Sequence, residues 1–236
     1  MAIQRKIKTF YKIDNKLLLK LRRTIPGIIL SGWIFQGFLY MNIYEKIYKI
    51  FLETFIIGIC YSLFSSLPAY DGGILPQLIW SMLVGHTIIW FINGQAMTML
   101  IHMNLIPNSP GRFISYTDSL VNNIRRKKFI LGAAAFGGLT RCEYRSSSDL
   151  DVRLVMKKGV LNGLLASHFC FIERVKALFC AFPLDLFAFD MEEAQRKMDA
   201  AENPIVFSDD SGLIKSLYDN FLNYEEFRKQ FSKKYI

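Results

Sequence analysis

Hydrophobic and polar positions along the chain change their spacing near residue 110, and the two sides of that change predict different architectures. Residues 24–44 are 21 positions without a charge, residues 54–70 are another 17, and residues 72–103 hold no formal charge but include Gln77, His86, Asn93 and Gln95. Uncharged apolar runs of this length predict helices, and they approach the ~20 residues that cross a hydrocarbon core. In the third run Gln77, Ser81 and Gly85 recur every four residues, so a helix there carries a small and polar stripe along an apolar body. Pro107-Asn108-Ser109-Pro110-Gly111 then predicts a boundary.

Past the boundary the pattern shortens and alternates. Residues 112–128 predict a helix ending in the basic cluster Arg125-Arg126-Lys127-Lys128. The apolar run 129–136 stops at Gly137-Gly138, as a buried strand entering a loop does. Residues 149–155 predict a strand, 161–181 a helix, 183–189 an apolar strand, with a helix from Met191 and terminal helices from about Leu213. The expected fold is α+β: a small mixed β-sheet with flanking helices over residues 111–236, preceded by a hydrophobic all-helical region, 24–106, and a basic arm, 1–23.

The candidate chemistry sits in the second half. Asp149 and Asp151 occupy Ser-Asp-Leu-Asp-Val-Arg, and on a strand residues two apart point to one face. Two converging carboxylates repel unless a cation lies between them, and Mg²⁺ takes hard oxygen ligands completed by substrate phosphates. Gly137 and Gly138 lack a Cβ and let the backbone approach a phosphate, and a short helix from Leu139 would turn free N–H groups towards the anion. A single carboxylate, Asp185, is embedded in the later apolar run Phe-Pro-Leu-Asp-Leu-Phe-Ala-Phe, where an unpaired charge is costly and a shared metal would be its partner. Arg153 shares the face of Asp151, where it either neutralises the acidic cluster or meets a phosphate oxygen.

The order apolar strand, Gly-Gly, Arg-x-Glu, Asp-x-Asp, then a later strand with one Asp resembles the polymerase-beta-type nucleotidyltransferases, most of all their minimal members, over roughly residues 111–210. That resemblance implies Asp149, Asp151 and Asp185 as catalytic metal carboxylates, with Asp190 the competitor for the third place. It implies Gly137, Gly138, Thr140, Arg141 and Arg153 as nucleotide-binding residues, with Glu143 orienting the loop. It further implies Mg²⁺ or Mn²⁺ as cofactor and transfer of a nucleoside monophosphate from a triphosphate to an acceptor hydroxyl or phosphate. The chain departs from the minimal pattern in three places: Gly138 stands for the usual serine, Thr140 for alanine and Cys142 for glycine. None of these removes a metal ligand. The alternative reading is a non-catalytic nucleotide-binding or regulatory module that engages a partner protein or membrane.

Composition adjusts this picture in one respect. Of the 236 residues 52% are hydrophobic, mean hydropathy is +0.22 and the net charge is +9. The excess is uneven: residues 1–23 carry eight Lys/Arg against Asp14, whereas residues 24–110 hold only Glu45, Lys46, Lys49, Glu53 and Asp71. A basic arm ahead of uncharged helices points to an anionic membrane surface in preference to nucleic acid, for which aromatic interleaving is lacking. Positive-inside logic and the supply of nucleoside triphosphates place the chain in the cytoplasm, at the cytoplasmic face of a membrane if the helices engage one. A soluble helical domain packed on the enzyme is the competing reading of the same segment. Cys60, Cys142, Cys170 and Cys180 lack zinc-site spacing and suggest a reduced compartment, and His86 with Asn93 suggests hydrogen bonding inside the helical region.

Overall fold

The structure is a computed structural model that describes residues 24–67, 73–93, 95–103, 105–106, 108–141, 143–198 and 203–236; the arm 1–23 and Cys142 fall outside the described residues. Helix α1 (Ile25–Phe35) starts at Thr24, whose side chain accepts from the Gly27 N–H, with Pro26 in the first turn. It stops at Gln36 and Gly37, both at positive φ (45° and 71°). At 11 residues α1 is about 16 Å long. The uncharged run 24–44 is therefore not one candidate span but a short helix and a turn.

Helices α2 (Ile43–Ser65) and α3 (Ile74–Ile92) form a hairpin, and α4 (Gln95–His102) follows. The small stripe of α3 faces α2: Ser81, Gly85 and Ile89 are buried, and a Cβ on Gly85 would lie 2.7 Å from Ile57 Cγ1. Polar side chains line the seam as well. Glu53 binds Lys49 Nζ at 2.9 Å and His86 Nδ1 at 2.5 Å, while His86 Nε2 reaches the Trp33 carbonyl at 2.9 Å. Gln36 donates to the His86 carbonyl and accepts from Asn93, so His86 and Asn93 do serve the interior of this region.

After α5 (Pro110–Arg125), capped by Ser109, the chain builds β1 (Ile130–Phe136), a 3-10 turn (Gly138–Arg141), β2 (Leu150–Met156), α6 (Val160–Phe179), β3 (Leu184–Phe189) and α7 (Met191–Lys197). These match the expected elements within a few residues. The strands β4 (Ile205–Asp209) and β5 (Leu222–Asn223) are additional to the expectation, whereas α8 (Leu213–Leu217) between them and the closing α9 (Tyr224–Tyr235) are the terminal helices expected from about Leu213. The sheet order is β3-β2-β1-β4-β5, with β1 antiparallel to β2 and β4, and the outer pairs β2–β3 and β4–β5 parallel. The result is a mixed five-stranded sheet in an α+β fold preceded by two long apolar helices.

Strand alternation divides the core. On one face Val152, Leu154, Leu186 and Phe207 pack with Phe113, Phe169 and Phe231 of the helices. On the other, Phe136, Phe187, Phe189 and Val206 pack with Ala194, Leu213, Ile214 and Tyr218, and with Met41 from the α1–α2 connector. Asp151, Arg153 and Asp185 share strand parity with this second set.

The exposed edge of β3 is closed by the helical region. Asn42 Nδ2 donates to the Ala188 carbonyl at 2.7 Å, and the Ala188 N–H donates to Glu45 Oε2 at 3.3 Å. Arg174 of α6 bonds Glu45 Oε1 at 3.0 Å and also donates to the Leu186 carbonyl. Both charges are buried, at 3% and 5% exposure. Removing one partner strands the other charge, so Glu45→Ala is expected to destabilise the protein by about 3–5 kcal/mol, and Glu45→Leu with Arg174→Met by much less. Urea unfolding of the two variants in parallel checks the ordering.

Candidate nucleotide and metal site

Parallel pairing of β2 with β3 sets Asp151 directly beside Asp185, and Arg153 beside Phe187. Adjacent strands lie about 4.8 Å apart, so the two carboxylates rise from neighbouring positions on one face. Asp149 immediately precedes β2 with the same parity and is half-buried. Arg153 fills the charge balance: its Nη2 lies 3.5 Å from Asp185 Oδ2 and 4.0 Å from Asp151 Oδ1, while Nη1 donates to the carbonyls of Asp185 (3.1 Å) and Val152 (3.0 Å). Burial works against this cation, but Asp185 and then Asp151 outweigh it and hold the guanidinium above its ordinary value. Of the two roles open to Arg153 in sequence, neutralising the acidic cluster is the one these contacts fulfil.

The loop meets the carboxylates through a single glycine. Phe136 pairs with Asp151, and the next residue, Gly137, adopts φ 88°. A Cβ at this position would stand 3.2 Å from Asp151 Oδ2, so backbone conformation and space both call for glycine. The chain then makes one 3-10 turn, Gly138–Arg141, where a short helix from Leu139 is expected. Thr140 secures the turn, its N–H and Oγ1 both bonding the Gly137 carbonyl at 3.3 and 2.9 Å. Leu139 anchors it in the core. Arg141 and Glu143 stand at the rim, exposed and 3.9 Å apart, a geometry that contributes little.

Asp190, the competing third carboxylate, is the N-cap of α7 and accepts from the Glu193 N–H at 2.8 Å. Two residues of this face were not legible from motifs. Phe187 lies under the Arg153 guanidinium, 5.1 Å from its ring centroid, and Arg174 stands at the same distance from that ring. Tyr40 of the α1–α2 connector packs on Phe187 at 5.8 Å. Position 187, two residues after Asp185 on a strand, was the available signal for Phe187; none existed for Tyr40. Among the described residues no group of three or more His, Cys, Asp or Glu is arranged to hold a metal by itself. Comparison with known proteins finds no matching family model, no matching characterised protein and no matching solved structure.

Two outcomes follow from this geometry. Gly137→Ala must be forced into a backbone region unfavourable to L side chains and should destabilise the protein by on the order of 1 kcal/mol or more, read as a lower melting temperature. Arg153→Met removes the guanidinium that Asp151 and Asp185 share. Millimolar Mg²⁺ should then raise its melting temperature more than it raises that of the wild type, because the metal no longer competes with the guanidinium.

Proposed function

We propose that the chain is a metal-dependent nucleotidyltransferase that transfers a nucleoside monophosphate from a triphosphate to an acceptor. The observation that carries the reading is the apposition of Asp151 and Asp185 on adjacent strands, with the positive-φ glycine turn at Gly137 set against Asp151. The donor chemistry fits Mg²⁺ or Mn²⁺: two anionic oxygen donors side by side suit an ion that is held by one or two carboxylates plus substrate phosphates. Asp151 and Asp185 would hold it, with Asp149 at the mouth of β2, and bound there it would supply Lewis-acid stabilisation of charge at the phosphoryl group.

The chain's own residues do the rest. Gly137 and Gly138 bring the backbone close to the triphosphate, and Thr140 fixes the turn by bonding the Gly137 carbonyl. Arg153 balances the carboxylates before substrate arrives, and its fork is suited to a phosphate oxygen once the pair has another cation. Arg141, exposed at the rim of the turn, would meet a phosphate of the nucleotide.

The contacts of Arg153 also favour a second reading, in which the guanidinium keeps its place and the site binds nucleotide without turning it over. Incubation of the purified chain with labelled nucleoside triphosphates and Mg²⁺ separates the two. The first reading expects pyrophosphate release that falls by more than about 100-fold in Asp151→Asn and Asp185→Asn, beyond the usual loss for residues that only support a metal ligand. It also expects near wild-type turnover in Asp190→Ala, at a capping cost of about 1 kcal/mol. Nucleotide binding with no pyrophosphate release in the wild type would select the second.

A further inference from the structure

We infer that the α2–α3 hairpin is inserted in the hydrocarbon of a lipid bilayer, entering from the side on which the sheet domain lies. This goes beyond nucleotidyl transfer and does not depend on it. The hairpin is turned inside out relative to a water-soluble helix pair. Its seam holds Ser81, Gly85, Glu53 and His86, whereas its outer surface carries Ile47, Phe51, Phe55, Leu63, Leu75, Ile79, Trp80 and Met82. Small residues at the contact and apolar residues outside are the arrangement of helices that pack in lipid, where close backbone approach drives association.

The outer surface is also too extensive for one partner face. Trp80 and Met82, two positions apart and so about 200° apart around α3, are 52% and 51% exposed. Phe51 on α2 is 72% exposed. A protein docked on one side covers one of these directions, whereas lipid surrounds them all. Charge follows the same division. Lys46, Lys49, Glu53 and His86 lie towards the base of the hairpin, near the contacts of Glu45 with Arg174. Beyond them residues 54–67 and 73–85 contain no charged side chain. Each of these distal halves is about 20 Å long, enough to bury most of the way through a ~30 Å hydrocarbon core. The sequence of segment 1–23, with eight Lys/Arg and one Asp, complements anionic headgroups.

The test is flotation of the detergent-purified full chain after reconstitution with phosphatidylcholine vesicles, with and without phosphatidylglycerol. The expected result is that the protein floats with both kinds of vesicle, stays with them in high salt and at alkaline pH, and is released by detergent. The variant Phe51→Lys with Trp80→Lys should lose most of this flotation while the circular dichroism spectrum and the melting temperature of the sheet domain stay at wild-type values. Flotation only with phosphatidylglycerol, abolished by salt, would overturn insertion in favour of electrostatic attachment through the basic arm. A full chain that remains soluble without detergent would overturn it too, whether as a monomer or as a dimer that the lysine pair dissociates. Unchanged salt-resistant flotation of the lysine variant would place the lipid contact elsewhere and would also contradict the inference.

Discussion

Two carboxylates on neighbouring strands, Asp151 buried and Asp185 partly buried, repel each other unless a cation lies near, and this constraint shapes the site face of the sheet. Register places Asp151 against Asp185, so the separation of their backbones is set by strand spacing. Arg153 meets the requirement from the same face, held in turn by two backbone carbonyls and by Phe187 beneath it. The turn at Gly137 is shaped by the same need for room, because its backbone abuts Asp151.

The edge strand β3 gives the hydrophobic half of the chain a direct connection to this site. β3 carries Asp185, and its outer edge is closed by Asn42, Glu45 and Arg174 in place of another strand. Arg174 also stands over Phe187, the ring that supports Arg153. The base of the helical hairpin and the carboxylate pair therefore lie on either side of one strand. A closed edge also removes a row of unpaired backbone groups that would otherwise invite pairing with another chain.

Much of this was legible in local pattern. β1 and β3 follow from short apolar runs and β2 from apolar alternation, the Gly137 turn from the diglycine that ends the first run, and the shared face of Asp151 and Arg153 from their i, i+2 spacing. The four-residue recurrence of Gln77, Ser81 and Gly85 marked the side of α3 that meets α2, of which Ser81 and Gly85 are buried. What escaped was short or distant. β4 offers only Ile205-Val206-Phe207 before turning polar, and β5 is two residues long, so neither carries a periodic signal. The ion pair of Glu45 with Arg174 joins residues 129 apart, and no local rule connects them. The break after α1 had a local mark in Gly37, but uncharged length outweighed it in the reading of residues 24–44. Tyr40 and Met41 reach the sheet because of that break.

On the proposed function the Asp151–Asp185 pair accepts a divalent cation together with nucleotide in exchange for Arg153. A crystal structure with Mn²⁺ and a non-hydrolysable nucleoside triphosphate, with the metal located by anomalous scattering, tests this most directly. The expected result is a manganese peak between the Asp151 and Asp185 carboxylates, triphosphate oxygens completing its shell beside the Gly137 turn, and the Arg153 guanidinium moved onto phosphate. Nucleotide bound elsewhere, or an Arg153 guanidinium still on both carboxylates with no manganese beside them, would contradict it.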